Sequence, residues 1–236
     1  MSTAVAVASA AALPDAGRHG FWLARQPLAF RDAVEAAAVH RHFEKGEIVY
    51  RRGDPADGIF AVLAGCVLFY TGTEPCPAAA LHASRVGAWF GEAAVIRRQP
   101  RMVTAVALED STLWHLPGAA LDALLAAEPA HWRALADLAV VNIEVLTGLL
   151  AHRRFEQPEP RVAAQLLDFV AADPPDRADP GVAIALTQQA LAAMCGLSRN
   201  TVNRVLKGFE EAGVVELAYG RLRIVDAVAL TRMVES

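Results

Sequence analysis

The sequence predicts an α+β chain: an N-terminal double-stranded β-helix (a β-roll), a long helix, and a C-terminal winged helix-turn-helix. Three observations predict it. Between His40 and Pro117, short β-rich runs are punctuated by glycine. From Ala119 to about Arg154, apolar residues recur at intervals of three and four. After a proline-rich break, Leu186 to Leu206 reads as two short helices joined by a tight turn, with a hairpin beyond them.

Composition bounds the alternatives. A chain of 236 residues suits one large domain or two small ones, and 54% hydrophobic residues exclude a disordered chain. The net charge of −4 carries no global basic signal, so any attraction to nucleic acid must come from a local patch. Cys66, Cys76 and Cys195 form no close pair, which suits a reducing cytoplasm and argues against a four-cysteine cluster or zinc ribbon. Residues 1–20 are expected to be a disordered tail: Met1 to Pro14 is Ala/Val-rich but lacks the leading Lys or Arg of a signal peptide. An uninterrupted apolar run of about 18 residues, as a membrane span would need, does not occur.

In chain order, Phe30, Val34 and Ala37 place one apolar face on a helix within residues 21–39. Strands are expected at Glu47–Tyr50, Ile59–Leu63, Val67–Tyr70, Val103–Val106 and Thr112–Trp114. Together they make a roll over residues 21–117. The long helix and a hinge occupy residues 118–156, with a break or kink near Pro129. Leu135, Leu138, Val141, Val145 and Leu149 form a seam wide enough for a partner helix, and Asn142 lies beside it, where an amide could fix the register. The bland alternative, a stripe packed on its own roll, is compatible with the same pattern.

Gln157-Pro158-Glu159-Pro160 reads as a stiff hinge. The last unit, residues 157–236, starts with a helix over Val162–Ala171 and a Pro/Asp-rich loop over Ala172–Pro180. Thr187 and Ser198 can N-cap the two helices that follow, and Gly196 suits the turn between them. The second helix carries Ser198, Arg199, Asn200, Thr201, Asn203, Arg204 and Lys207, a basic, amide-bearing face with no acid before Glu210. Such a helix can enter the DNA major groove. Val214–Leu217 and Leu222–Val225, joined at Tyr219-Gly220, supply the wing.

This order of parts resembles the CRP/FNR family of bacterial transcription regulators from Phe21 to Val234. Two signatures carry the resemblance. One is the helix Gly196-Leu197-Ser198-Arg199-Asn200-Thr201-Val202-Asn203-Arg204-Val205-Leu206. The other is Trp89-Phe90-Gly91-Glu92-Ala93-Ala94 with Pro100-Arg101-Met102-Val103-Thr104-Ala105, similar to the phosphate-binding cassette of cyclic-nucleotide-binding domains.

The resemblance implies a cytoplasmic homodimer that regulates transcription and is not an enzyme, with palindromic double-stranded DNA and RNA polymerase as partners and no membrane. It implies cyclic AMP or cyclic GMP as effector, with another small molecule left open; the residues by themselves require no cofactor and no metal. Glu92 would take the ribose 2′-hydroxyl and Arg101 the cyclic phosphate, with Gly91 and Ala93 as amide donors. Met102 stands where a hydroxyl residue is frequent in the family, so only its backbone N–H remains. Of the hydroxyl pair that meets adenine in the cyclic-AMP receptor, Leu146-Thr147 retains only Thr147. On DNA, Arg199, Asn200 and Arg204 would meet bases. Asn200 replaces a frequent glutamate and shifts the preference at one base pair from cytosine to adenine. Thr187, Gln188, Ser198, Thr201 and Lys207 would meet phosphates, and Arg221 and Arg223 could add wing contacts.

Three other readings compete. His40, His42 and Glu47 have cupin-like metal spacing, but Val34 stands where a glycine is expected and only His82 and His115 could be a third ligand in the roll. A haem sensor would need an axial histidine or Cys76, which no spacing marks. A constitutive DNA-binding dimer with a lost pocket remains open, in which Glu92 and Arg101 form only a structural ion pair.

Overall fold

The computed structural model describes residues 22–171, 182–218 and 221–235. The predicted tail, the Ala172–Pro180 loop and the Tyr219-Gly220 turn lie outside the described residues.

Eight strands build the roll: β1 (Val39–Phe43), β2 (Ile48–Tyr50), β3 (Gly58–Ala64), β4 (Cys66–Tyr70), β5 (Ala80–Arg85), β6 (Trp89–Phe90), β7 (Thr104–Ala107) and β8 (Ser111–Pro117). They form two antiparallel sheets, β1-β8-β3-β6 and β2-β7-β4-β5. The five predicted strands are all present; β1, β5 and β6 complete the sheets.

Each sheet is covered on both faces, which explains why β3 and β4 read as continuous apolar runs rather than alternating ones. Phe60, Val62, Val67, Phe69 and Phe90 fill the interior between the sheets. Ile59, Ala61, Trp89 and Trp114, one residue out of phase, turn the other way onto helices. These are α1 (Leu28–Ala37), α3 (Gly118–Ala127) and α4 (His131–His152), while α2 (Glu92–Arg97) is the cassette helix. The expected long helix is therefore two helices, broken where Pro129 withholds an N–H and restricts its neighbour.

The seam on α4 needs correction. Leu135 and Leu138 are buried in the cluster beneath the first sheet, so this end of the stripe packs on its own roll, while Val141, Val145 and Leu149 are only half-buried. The open apolar face holds Val140, Ile143, Leu146 and Leu150, between 46% and 65% exposed. Asn142 does not stand in an open seam either. Its side-chain amide donates to the Trp89 carbonyl at 3.1 Å, tying α4 to the cassette.

The hinge is also corrected. α5 runs Pro158–Ala171, so both prolines lie in its first turn, where a missing N–H costs nothing. The linkage between α4 and α5 is the short segment 153–157.

The last unit contains α6 (Gln188–Cys195), α7 (Arg199–Glu211) and the wing strands β10 (Val215–Ala218) and β11 (Arg221–Ile224), closed by α8 (Ala227–Glu235). A strand that the sequence pattern did not single out, β9 (Val182–Ile184), pairs with β11. The core of this unit is continuous with the outer face of the second sheet, where Cys66, Leu68, Tyr70, Ala80 and Val106 join Leu191, Met194 and Val205. α6 packs on β5 and the turn Pro77–Ala79 that precedes it.

Candidate effector site and nucleic-acid interface

The cassette forms where β6 meets α2. Gly91 is the N-cap of α2 with φ 95°, and a Cβ there would lie 2.7 Å from Arg101 Nη1. Only glycine serves both the turn and the approach of the guanidinium.

Arg101 is buried, and its guanidinium is held by three oxygens. Nη1 donates to the Gly91 carbonyl at 3.0 Å; Nη2 donates to Asp57 Oδ1 and to the Gly58 carbonyl, each at 2.7 Å. The cation also lies 4.4 Å from the Tyr50 ring centroid. The alternative in which Glu92 and Arg101 form a structural ion pair is not what the structure shows: Asp57 is the partner of Arg101, at 2.7 Å. Nothing in the sequence pattern marked Asp57, which sits in the irregular segment directly ahead of β3.

Glu92 is buried, and burial raises its carboxyl pKa. The Asn142 amide, its own N–H, the Arg101 charge and the Gly91 N–H pull the other way. α4 therefore reaches the cassette at both Trp89 and Glu92. Ala93 is exposed, and Met102 is 59% exposed. Thr147 lies away from this cluster on the open face of α4, with its hydroxyl donating to the Ile143 carbonyl at 2.8 Å.

Aromatic rings occupy the roll interior beside the cassette. Phe60 and Phe90 stack with centroids 5.7 Å apart, and Tyr50 lies near both. Phe69 meets Phe90 edge-on at 5.1 Å.

The reader assembles as predicted. Thr187 Oγ1 accepts from Ala190 N at 3.1 Å and Ser198 Oγ from Thr201 N at 3.0 Å, capping α6 and α7. Gly196 turns between them at φ 64°. Val202, Val205, Leu206 and Phe209 anchor α7, so its opposite face stays open. On that face Arg199, Asn200, Arg204 and Lys207 are exposed, and a shallow groove of about 570 Å³ is lined by Asn200, Asn203, Arg204, Lys207, Gly208 and Glu211. Gln188 donates to Asn203 Oδ1 at 3.4 Å, and the Ser198 and Thr201 hydroxyls share a bond at 2.8 Å. On the wing, Arg223 pairs with Glu216 at 3.0 Å while Arg221 is exposed.

The cupin-like alternative finds no support. His40 Nε2 accepts from Trp114 Nε1 at 3.1 Å. Among the described residues no three metal-ligating side chains converge.

A β-roll with this cassette turn, joined to a winged helix-turn-helix, defines a class of DNA-binding transcription regulators. Residues 40–128 match the cyclic nucleotide-binding domain family and residues 160–233 the Crp-like helix-turn-helix domain family. The chain is 30% identical over 225 residues to the HTH-type transcriptional regulator Cmr of Mycobacterium tuberculosis, covering 89% of this chain and 85% of that one. It is 29% identical over 190 residues to the cyclic AMP receptor protein of Thermus thermophilus, covering 80% and 85%. The solved structure of a CRP/FNR-family transcriptional regulator from the same organism superposes with a TM-score of 0.65 at 25% identity, covering 84% of this chain and 99% of that one. The chain belongs to the CRP/FNR family of transcription regulators.

Proposed function

We propose that the chain acts as a homodimer that reads a palindromic operator through paired α7 helices under the control of a cyclic nucleotide in the roll. The observation that carries the DNA-reading part is the open face of α7. Its three cations, Arg199, Arg204 and Lys207, make no ion pair among the described residues. Arg199, Asn200 and Arg204 are the base readers in this proposal. Thr187, Gln188, Ser198, Thr201 and Lys207 hold phosphates, the capping hydroxyl oxygens accepting from backbone N–H groups while an O–H remains to donate to a phosphate oxygen.

The open stripe of α4 supports the dimer. α4 is long and apolar enough to cross a membrane by length and composition alone, despite Asp137 and Glu144. Its inner stripe already packs on the roll, and a second copy of the same helix suits the outer one. Thr147 would then stand at the interface. The division into a roll (21–117), a dimerisation helix (118–156) and a DNA-binding unit (157–236), contact with RNA polymerase and a cytoplasmic location complete the proposal; family membership supports them.

In the roll, Glu92 takes the ribose hydroxyl, Arg101 the cyclic phosphate, and the amides of Gly91, Ala93 and Met102 surround it. Binding to Arg101 displaces Asp57, so the nucleotide would select a rearranged cassette and move α4 through Asn142. One observation favours a second reading, a constitutive dimer with a closed pocket: both terminal nitrogens of Arg101 are already hydrogen-bonded, and rings fill the interior. Calorimetry with cyclic AMP and cyclic GMP, followed by operator selection with and without nucleotide, separates the two. Heat of binding and a nucleotide-dependent operator affinity are expected. No heat with retained operator binding establishes the constitutive reading. Loss of neither operator affinity nor base preference on replacing Arg199 and Arg204 by Ala removes the reader assignment.

A further inference from the structure

β5 pairs with β4 so that His82 stands opposite Phe69. Directly opposed residues of an antiparallel pair share a face, and Phe69 belongs to the cluster between the two sheets. His82 therefore points into the roll. Its ring lies flat on Phe69, with centroids 4.6 Å apart and 14° between planes. Phe69 meets Phe90 edge-on, and Phe90 directly precedes Gly91 and Glu92. A chain of rings thus leads from His82 to the cassette.

His82 also carries polarity into that apolar interior. Its Nδ1 is closed off from solvent and bonds nothing among the described residues. Burial pushes the imidazole down to about 4, so at neutral pH the ring is uncharged, with one nitrogen to donate and one to accept. A buried ring nitrogen without a partner forfeits a hydrogen bond. The other interior histidine, His115, also has a buried unbonded nitrogen, but its Nε2 lies 3.7 Å from Asp57 Oδ2. Among the described residues His82 has no such carboxylate neighbour.

We propose that His82 is the specificity-determining residue of the effector pocket, pairing through Nδ1 with the edge of a planar nitrogen heterocycle. The inference rests on the proposed nucleotide site, with the heterocycle being the base. Phe69 already covers one face of the imidazole, which leaves the ring edge with Nδ1 to meet a flat aromatic ligand. Adenine presents an amino donor at its six-position and guanine a carbonyl acceptor, so Nδ1 would accept from the first in the Nε2–H tautomer and donate to the second in the Nδ1–H tautomer; the tautomer that the free ring favours sets the preferred base.

The test measures Kd for cyclic AMP and cyclic GMP by calorimetry on the full chain and on His82→Phe, which keeps the stacked ring and removes both nitrogens. The unmodified chain is expected to prefer one nucleotide. His82→Phe is expected to bring the ratio of the two Kd values about tenfold closer to unity, the size of one buried hydrogen bond. Glu92→Ala, in contrast, should weaken both nucleotides alike. An unchanged ratio in His82→Phe, or no preference in the unmodified chain, overturns the role of His82 and leaves the nucleotide site standing. No binding of either nucleotide to the unmodified chain overturns both. Should His82→Phe fail to fold, the ¹⁵N shift of His82 Nδ1 decides on the unmodified chain: it moves on saturation with the preferred nucleotide if the proposal holds, and stays put if it does not.

Discussion

Arg101 gives its Nη2 to Asp57 Oδ1 across 2.7 Å, and Glu92 receives none of its hydrogen bonds. The arginine side chain is 1% exposed and the aspartate 58%, so the pair is half wet and its strength is discounted for solvent. A phosphate arriving at Arg101 competes with that carboxylate. Asp57→Asn is therefore expected to tighten cyclic-nucleotide binding by roughly threefold to tenfold, read by calorimetry. Unchanged or weaker binding would show that Asp57 does not compete with the phosphate.

Asn142 joins the long helix to the cassette. Replacing it with Ala removes the bond to the Trp89 carbonyl and the amide that favours ionised Glu92. A cost of about 1–3 kcal/mol follows from leaving a half-buried acceptor unpaired, measurable by urea denaturation. The variant should also bind nucleotide with a smaller effect on operator affinity; an undiminished effect would sever Asn142 from the switch.

The outer stripe of α4 predicts the assembly state. Ile143→Glu and Leu150→Glu each place a carboxylate on a face that is 61% and 65% exposed in one chain. Each monomer should fold with an almost unchanged melting temperature, while sedimentation shows dissociation and operator affinity falls. Persistence of the dimer in both variants would move the interface elsewhere.

The reader separates two kinds of contact. Arg199→Ala and Arg204→Ala should each cost about 1–3 kcal/mol on the preferred operator and relax specificity at one position. Lys207→Ala should weaken all sequences alike and reduce the salt slope by about 1. Asn200→Glu should move the preference from adenine towards cytosine at one base pair per half-site. Parallel binding titrations over several salt concentrations and operator variants resolve these outcomes.

His82 makes stability depend on pH. Burial lowers its pKa from 6.5 to about 4, so between those values the unfolded chain binds the proton and the folded chain does not. Stability contributed by the neutral ring is present above pH 6.5 and is lost as pH falls towards 4. The melting temperature of the unmodified chain should fall across this window relative to His82→Phe. Parallel curves for the two would show that His82 titrates normally.

Much of the fold was legible because it rests on local chemistry. Glycine turns, β-rich runs, two hydroxyl caps and a turn glycine specify the roll strands and the reader within a few residues of chain. Pro158 and Pro160 were misleading for the same local reason: proline breaks a helix interior but starts a helix well, and only the position of the first turn separates these effects. Thr147 matched a family position in sequence, yet its side chain stands on the open face of α4, with its hydroxyl bonded within its own helix.

By itself, the sequence determined the order of parts, the open basic face of α7, and the presence of Glu92 and Arg101 in a cassette turn. Each depends on spacing within one element, where 3.6 or 2 residues per repeat decides which side chains share a face. Only the tertiary structure decided that Leu135 and Leu138 belong to the roll's own cluster, that Asn142 meets Trp89, and that Arg101 chooses Asp57. Those partners are brought together by sheet pairing and helix docking across 44 or more residues of chain. No local periodicity encodes which oxygen a buried guanidinium will find.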